Sequence, residues 1–285
     1  MSNPLFGPGG NSKSFAEAGN KHSYQAPAWL KNMGLDAYEY EAGNGVRGSE
    51  EAFRKIGLEA KLNGIKLSFH APYFISLSGT DPETRLKSVG SIKQSVDAAE
   101  LMGAYIIVVH AGSAGKISRS EAMELAKDTL WKTLEATEGT PVRIGIETMG
   151  KKNQLGTLEE VIELCGIDER LYPVVDFGHL NARDQGGVFV TSDDYKRVFD
   201  LIGSRLADEK AKELHCHFSK IEYTAGGEKR HLTFEDEIYG PEFAPLAKVL
   251  AEEKLSPVII CESAGTMAED ALEMKREYRS ALLNL

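Results

Sequence analysis

The sequence contains little cysteine, and its cysteines show no paired spacing. There are three, Cys165, Cys216 and Cys261, and all of them fall in apolar stretches. An odd number without a Cys-x-x-Cys pair argues against a disulfide framework. We therefore expect reduced core residues, as in a cytoplasmic protein.

Long apolar runs are also missing. No stretch approaches the roughly 18 apolar residues of a membrane helix. The N-terminal sequence MSNPLFGPGGNSKS lacks the charged start and the apolar run of a signal peptide. The sequence thus predicts a soluble, cytoplasmic protein without a membrane partner. Nothing in it implies a protein partner, so we expect a monomer.

An excess of basic residues is absent as well. Lys and Arg total 33 against 43 Asp and Glu, which gives a formal net charge of −10. Because phosphate contacts depend on Lys and Arg, this balance argues against a simple basic nucleic-acid binder. It does not exclude an enzyme that meets DNA on one local face, since bound divalent ions would neutralise inward carboxylates.

What the sequence does contain is a regular alternation of short β-type runs and longer helical patterns. The predicted strands are Pro4–Phe6, Ala37–Glu41, Lys66–His70, Tyr105–His110, Arg143–Glu147, Tyr172–Asp176, Leu214–Phe218 and Pro257–Glu262. The predicted helices are Ser49–Leu62, Pro82–Met102, Ser118–Ala136, Thr157–Leu164, Ser192–Ile202, Pro241–Glu253 and Met267–Leu283. Eight such units without a composition break predict an α/β protein, a single (β/α)8 TIM barrel over residues 1–285.

Local signals support these boundaries. Thr157 and Glu160 have the spacing of a capping box. Pro82 and Pro241 suit a first helical turn, where the missing N–H costs nothing. Two long connections, residues 178–190 and 220–239, follow late strands, and a barrel keeps its chemistry in loops at this end.

Six consecutive predicted strands each carry a possible metal ligand at or near their end. These residues are His70, His110, Glu147, Asp176, His215 and Glu262. A closed barrel brings the strand ends to one mouth. One such residue alone is more often a hydrogen-bonded core histidine or a capping carboxylate, but six in succession are not explained in that way.

Burying three carboxylates together would cost several kcal/mol in repulsion and desolvation unless cations neutralise them. Metal binding is therefore the economical interpretation. Imidazole and carboxylate without cysteine suit Zn²⁺ first, with Mn²⁺ or Fe²⁺ as alternatives. Carboxylates can bridge two ions, so more than one metal is expected at the C-terminal face of the strands.

The residues at these strand ends resemble the endonuclease IV family of apurinic/apyrimidinic endonucleases, within the xylose-isomerase-like barrels. The motifs are HAPYFISL at 70–77, VVHAGS at 108–113, IGIETMGK at 144–151, VVDFGHLNAR at 174–183, HCHFSK at 215–220, KRH at 229–231 and CES at 261–263. The resemblance runs from the third strand onward.

By position, the resemblance implies two or three zinc ions. It assigns His70, His110 and Glu147 to the first ion. It assigns Glu147, Asp176, His215 and Glu262 to the second, with Glu147 as the bridge. His179 and His231 would serve a third.

Two departures from the family pattern leave the third ion open. Lys229 stands where the family has an Asp two residues before the last His. His217 and Phe218 stand where it has Asn-Asp. His217 faces the same side of the strand as His215, so it is a candidate replacement ligand, and a supporting or substrate contact is the favoured interpretation. Glu228 is a further possible substitute.

The resemblance also implies a reaction. A metal-activated hydroxide, held at Glu147, would attack a DNA phosphodiester at an apurinic/apyrimidinic site in damaged double-stranded DNA. A missing base makes extrusion of the nucleotide cheap. Tyr73 and Arg47 are candidate substrate contacts, although a packing aromatic and a solvated surface arginine are equally compatible with the sequence.

The alternative is a single-metal sugar isomerase or epimerase on the same barrel. Such relatives also present Glu, Asp, His and Glu on strands five to eight, and two of these carboxylates would shuttle a proton. His70, His110 and His231 favour the multi-metal hydrolase. The acidic charge and the lack of an aromatic-rich loop that could wedge into DNA favour the alternative. A non-catalytic, metal-stabilised binding barrel is the third possibility.

Overall fold

The computed structural model describes residues 3–115 and 117–285. Its strands are β1 (Leu5–Pro8), β2 (Ala37–Glu41), β3 (Lys66–His70), β4 (Ile106–His110), β5 (Arg143–Glu147), β6 (Leu171–Asp176), β7 (His215–Phe218), β8 (Ile221–Thr224), β9 (Gly227–His231) and β10 (Val258–Cys261). The helices are α1 (Lys13–Glu17), α2 (Ala26–Met33), α3 (Glu50–Asn63), α4 (Pro82–Met102), α5 (Arg119–Ala136), α6 (Leu158–Cys165), α7 (Phe177–Arg183), α8 (Ser192–Arg205), α9 (Asp208–Lys212), α10 (Ala244–Glu252) and α11 (Met267–Leu283). A 3₁₀ turn covers Ser23–Gln25.

Eight of these strands form one parallel sheet in the order β1-β10-β7-β6-β5-β4-β3-β2. The sheet curls until β1 meets β2, where Gly9 and Glu39 form a parallel bridge and Gly10 N–H donates to Glu39 O at 2.9 Å. Helices alternate with the strands along the chain. The (β/α)8 barrel predicted from the alternation is therefore confirmed.

Helix caps fix most of the predicted boundaries. The Thr157 hydroxyl accepts from Glu160 N–H at 3.2 Å, while the Glu160 carboxylate accepts from Thr157 N–H at 3.0 Å, which confirms the capping box. Pro82 begins α4 directly after its cap, Asp81. The prediction for Pro241 was wrong, because α10 begins at Ala244 and Pro245 occupies its first turn.

The two long connections contain structure that the sequence did not predict. The first holds α7, which begins directly after β6. The second folds into the antiparallel β8–β9 hairpin, separate from the barrel sheet. Both lie at the carboxyl ends of barrel strands, so they extend the walls of the mouth upward.

The core lies between the sheet and the helices. Phe177 is fully buried and packs against Phe189, Tyr195 and Phe218, with ring centroids 5.2–6.4 Å apart. All three cysteines are buried and free, as the sequence predicted. Among the described residues, no helix is long and apolar enough to cross a membrane.

Candidate metal centre

The strand ends of the barrel meet at one cavity of about 550 Å³. β3, β4, β5 and β6 each end on a candidate ligand, and Glu262 follows β10 directly. The parallel register holds these ends at matching heights, for instance His110 beside Glu147 on β4 and β5. Residues far apart in sequence thus become neighbours, as the motif order predicted.

Glu147 lies at the centre of this arrangement. One oxygen, Oε2, is 3.5 Å from His70 Nε2 and 3.3 Å from His110 Nε2. The other, Oε1, is 2.9 Å from His217 Nδ1 and 3.5 Å from His179 Nδ1. Each oxygen therefore faces a different pair of imidazoles, which is the geometry that a bridging carboxylate requires.

Asp176 and His179 extend the cluster through the start of α7. Asp176 caps this helix, its Oδ1 accepting from His179 N–H at 2.8 Å, and Oδ2 lies 3.3 Å from His179 Nδ1. One ligand atom from each of these two residues, from Glu147 and from Glu262 lies within 4.8 Å of the others. The cap thus fixes a carboxylate and an imidazole side by side.

A third group consists of His179, Glu228 and His231. Glu228 Oε2 lies 3.6 Å from His179 Nε2, and Glu228 Oε1 lies 3.9 Å from His231 Nε2. His231 is further held by Ser219, whose hydroxyl lies 2.8 Å from its Nδ1. The family pattern has a carboxylate where this chain has Lys229, and here a carboxylate is present one residue earlier, at Glu228.

A β-bulge explains this shift. In the hairpin Ile221 lies opposite His231, but Tyr223 lies opposite Glu228, so β9 carries one extra residue, Lys229. Ile221 and Tyr223 share a face by strand alternation, and so must their partners. Lys229 points the other way and pairs with Glu222 at 2.5 Å.

His215 and His217 exchange the positions that the sequence led us to expect. His215 does not reach the ligand cluster: its Nε2 is 2.9 Å from Glu39 Oε2 and its Nδ1 is 2.6 Å from the Tyr105 hydroxyl. His217 lies 2.9 Å from Glu147 and 3.3 Å from Glu262. The structure therefore places His217, the predicted substrate contact, rather than His215, the predicted ligand, beside Glu147 and Glu262.

The reason is depth along the strand. Both histidines face the barrel interior, but His217 pairs with Asp176 at the end of β6, whereas His215 pairs with Val174. Successive inward residues differ by about 6.6 Å along a strand. Alternation alone gives the face of a residue and not its height.

Sequence reasoning missed two acidic residues on β2. Glu39 is fully buried and contacts both His215 and His217. Glu41 pairs in register with His70 and lines the cavity. The alternating AYEYE pattern was a usable signal, because it places two carboxylates on the inward face of a strand that ends beside β3.

The two other predicted substrate contacts lie in different environments. Tyr73 lines the cavity, is 54% exposed, stacks on His110 at 5.5 Å and donates to Glu41 Oε2 at 2.9 Å. Arg47 is exposed in the loop after β2, and its carbonyl accepts from the Tyr40 hydroxyl at 3.3 Å. Arg47 is not among the residues that line the cavity.

The cluster strongly shifts the pKa values of its own members. Burial by itself lowers the pKa of His70, but the fields of Glu41 and Glu147 outweigh it and raise that pKa to about 10. The pKa of His179 likewise rises to about 9, against the effect of burial, because Asp176 and Glu147 are adjacent. Burial raises the pKa of Glu262 well above its usual range, and the charge of Glu147 adds to the effect. Without other cations, bound protons supply the positive charge that the carboxylates of the cluster require.

The donor set fits metal ions. Glu147 Oε2 and Asp176 Oδ2 are buried and have no hydrogen-bond partner within the described part of the chain. Buried carboxylate oxygens without partners are costly, and both of these point into groups of imidazoles. Neutral imidazole and carboxylate are the ligands that zinc takes in sites without cysteine.

A parallel eight-stranded barrel whose strand ends carry His, Asp and Glu that could hold metal ions is typical of α/β-barrel enzymes. Within this class, the chain belongs to the xylose isomerase-like TIM barrel family, whose model matches residues 27–278. The family membership inferred from the motifs is thereby confirmed.

Two curated relatives illustrate the similarity. An uncharacterized protein of Methanocaldococcus jannaschii is 29% identical over 256 residues, which cover 88% of this chain and 90% of that protein. A probable endonuclease 4 of Acholeplasma laidlawii is 31% identical over 175 residues, 59% of each chain. The similarity to the endonuclease 4 protein is thus modest and covers part of its length.

Solved structures confirm the fold. Endonuclease IV from Thermus thermophilus superposes with a TM-score of 0.69 at 21% identity, covering 99% of this chain and 100% of that one. A 3-keto-D-glucoside 4-epimerase from E. coli superposes with a TM-score of 0.70 at 15% identity, covering 98% and 100%. Nucleases and epimerases share this barrel, so the fold alone does not choose between them.

Proposed function

We propose that this protein is a metal-dependent phosphodiesterase that cleaves damaged double-stranded DNA at apurinic/apyrimidinic sites. The observation that carries the proposal is the overlap of three ligand groups at one mouth. Glu147 belongs to the first two groups, and His179 belongs to the second and third. Shared ligands of this kind favour adjacent ions, and adjacent ions are suited to displacement at phosphorus.

In the proposed centre, His70, His110 and Glu147 would hold one ion. The second would take Glu147, Asp176 and Glu262, with His217 and His179 as its adjacent imidazoles, and the third would take His179, Glu228 and His231. Zn²⁺ suits this donor set best, with Mn²⁺ or Fe²⁺ as alternatives. Two of the ions correspond to the sets expected from the sequence, with His217 in place of His215.

The side chains of the protein would perform the remaining steps. Bound divalent ions supply a water of lowered pKa and neutralise the charge that develops on the phosphate. Glu147 holds the centre together through contacts with four imidazoles. Tyr73, half-exposed at the rim, offers a flat surface to the abasic sugar, and Lys151 lines the cavity where a phosphate would enter.

Substrate access is compatible with an abasic lesion. A nucleotide must leave the duplex to reach ligands at the bottom of a cavity, and the missing base lowers the free energy of that extrusion. A cavity of about 550 Å³ has room for a sugar and its phosphate. Arg47, exposed beside the mouth, is available for the DNA backbone rather than for the reacting centre.

The test is nicking of a duplex that carries a tetrahydrofuran abasic analogue. We expect strand cleavage that EDTA abolishes and zinc restores. Glu147→Gln should lose most of this activity, since the carboxylate that would serve two ions loses its charge. Glu124→Gln is the matched control, because this glutamate is 70% exposed on α5. Intact duplex with fully metal-loaded protein would refute the proposal.

The second candidate is a sugar epimerase, which one observation favours specifically. Glu147, Asp176, His179 and Glu262 by themselves form a four-ligand group of the kind a single-metal epimerase needs, and Glu41 adds an acid at the cavity wall. In that case Glu147 and Glu262 would exchange a proton at a ketose carbon. Deuterium incorporation from heavy water into a sugar panel, with one ion per chain, would favour this candidate.

A further inference from the structure

Glu39 is a buried acid that the proposed reaction does not use. It lies on β2, one inward position below Glu41, and its side chain is fully buried. Within the described residues, its ion-pair partners are two imidazoles, those of His215 and His217. A buried carboxylate needs compensation, and here it comes from groups on β7 across the barrel.

The proton positions along this contact chain follow from its first member. The Tyr105 hydroxyl lies 2.6 Å from His215 Nδ1. A phenol donates its proton, so Nδ1 accepts, and a neutral His215 then carries its proton on Nε2. That Nε2–H donates to Glu39 Oε2 at 2.9 Å. His215 is thus occupied at both nitrogens and is committed to orienting Glu39.

The other oxygen of the carboxylate faces His217. Glu39 Oε1 lies 2.8 Å from His217 Nε2, an ion-pair contact without an aligned hydrogen bond. On its other side the ring meets a second carboxylate, because Nδ1 lies 2.9 Å from Glu147 and 3.3 Å from Glu262. An ionised carboxylate only accepts. An ion bound at Nδ1 would take the place of a proton there, and the proton that stays on Nε2 would face Glu39.

We propose that Glu39, oriented by His215 and Tyr105, is a positioning residue that fixes the tautomer and ring direction of His217 for metal binding through Nδ1. The inference rests on the proposed metal centre and names a part of it that lies beneath the ligands. A carboxylate on the far nitrogen of a ligating histidine raises its basicity and holds its ring. This arrangement also explains the two histidines of HCHF. His217, nearer the mouth, faces the ligand cluster, and His215, one inward position deeper, supports Glu39.

A separate ion among Glu39, His215 and His217 is the competing interpretation, because their ligand atoms lie within 4.8 Å of one another. The contacts argue against it. Each imidazole pairs with a different oxygen of Glu39, at 2.9 and 2.8 Å, so the three side chains contact one another directly. All three are almost fully buried and do not line the cavity, which leaves an ion at this position without an open path.

The test measures zinc affinity and the His217 ring, and neither readout requires DNA. In Glu39→Gln the side-chain amide has a single oxygen that can accept, whereas the Nε2–H groups of His215 and His217 each need an acceptor. We expect one ion per chain to bind 10- to 100-fold more weakly in chelator competition, with the others within twofold. Long-range ¹H–¹⁵N spectra of the zinc-loaded protein should show His217 protonated on Nε2 in the wild type and altered in the variant.

Ser68→Ala is the matched control, since Ser68 is buried on β3 in register with Glu39. It should leave affinities and spectra unchanged. Tyr105→Phe keeps the carboxylate and should weaken the same ion about threefold, with mixed His215 tautomers, which provides a test if Glu39→Gln does not fold. Unchanged affinity and spectra in both variants would overturn the proposal.

Loss of an additional ion in Glu39→Gln, beyond the one that His217→Ala loses, would assign Glu39 as a direct ligand and overturn it as well. Failure of DNA cleavage would refute the proposed function and leave this inference standing. The two can therefore be separated.

Discussion

In the proposed three-ion centre, replacing Glu228 with Gln should weaken the binding of one ion and leave the other two in place. The Glu228 carboxylate faces His179 at 3.6 Å and His231 at 3.9 Å, and its side chain is 14% exposed. Removing the charged partner from a mostly buried set costs about 2–5 kcal/mol. The residual exposure argues for the lower part of this range, about 2–3 kcal/mol. At about 1.4 kcal/mol per tenfold, the third ion should bind about 30- to 140-fold more weakly.

The assay is metal content by mass spectrometry, followed by chelator competition on the purified protein. Lys229→Ala is the matched control, because Lys229 is adjacent in sequence but is 53% exposed and paired with Glu222 on the opposite face. It should keep the wild-type ion count. Three ions of unchanged affinity in Glu228→Gln, or an equal loss in Lys229→Ala, would refute the role that we assign to the bulge.

Four further predictions concern protons, packing and DNA. With pKa values raised to about 10 and 9, His70 and His179 are protonated in the ion-free protein at pH 7, so metal binding should release at least these two protons, seen by calorimetry in buffers of different ionisation enthalpy. Because the pKa values of His70 and His179 are raised above 6.5, these histidines stabilise the ion-free fold fully below pH 6.5, and this contribution disappears as the pH rises through about 9–10. The Tm of the ion-free protein should therefore fall as the pH rises from 6.5 to about 10. A Tm that does not change with pH would contradict the pKa shifts. Gly43→Ala places a methyl group against the Tyr73 ring, so the nicking rate should drop while the ion count stays unchanged; an unaltered rate would show that this aromatic is not needed. Lys151→Ala should reduce the salt slope of DNA binding by about one, and an identical slope would remove Lys151 from the DNA contacts.

Most of the barrel could be predicted because its strands are local, bounded runs. β2, β3 and β5 have the bounds that the sequence indicated. The N-terminal helices were missed for a physical reason. α1 has five residues, and its start is fixed by distant groups: Lys13 N–H donates to Gly265 O, and Ala268 N–H donates to the Ser12 hydroxyl. A helix that is stabilised from the far end of the chain leaves little local signal.

The candidate site could be predicted as a list of strand ends but not as a geometry. The motif order identified His70, His110, Glu147 and Asp176, which the structure brings together. It could not rank His215 against His217, because both lie on the inward face and differ only in height. It also could not place Glu228, since a bulge reverses which residues of the following strand face inward and leaves no clear sequence signature.

The acidic net charge, which first counted against a DNA substrate, is better explained by the site itself. Six carboxylates lie in or directly beneath the cluster, namely Glu39, Glu41, Glu147, Asp176, Glu228 and Glu262. Three divalent ions would bring six positive charges to the same place, so the formal charge of −10 overstates the negative field that DNA would meet at the mouth. A single ion would leave most of that field uncompensated beside a phosphate. The charge balance therefore couples substrate to ion count: a loaded trinuclear centre is compatible with a phosphodiester, whereas a singly occupied one favours an uncharged sugar.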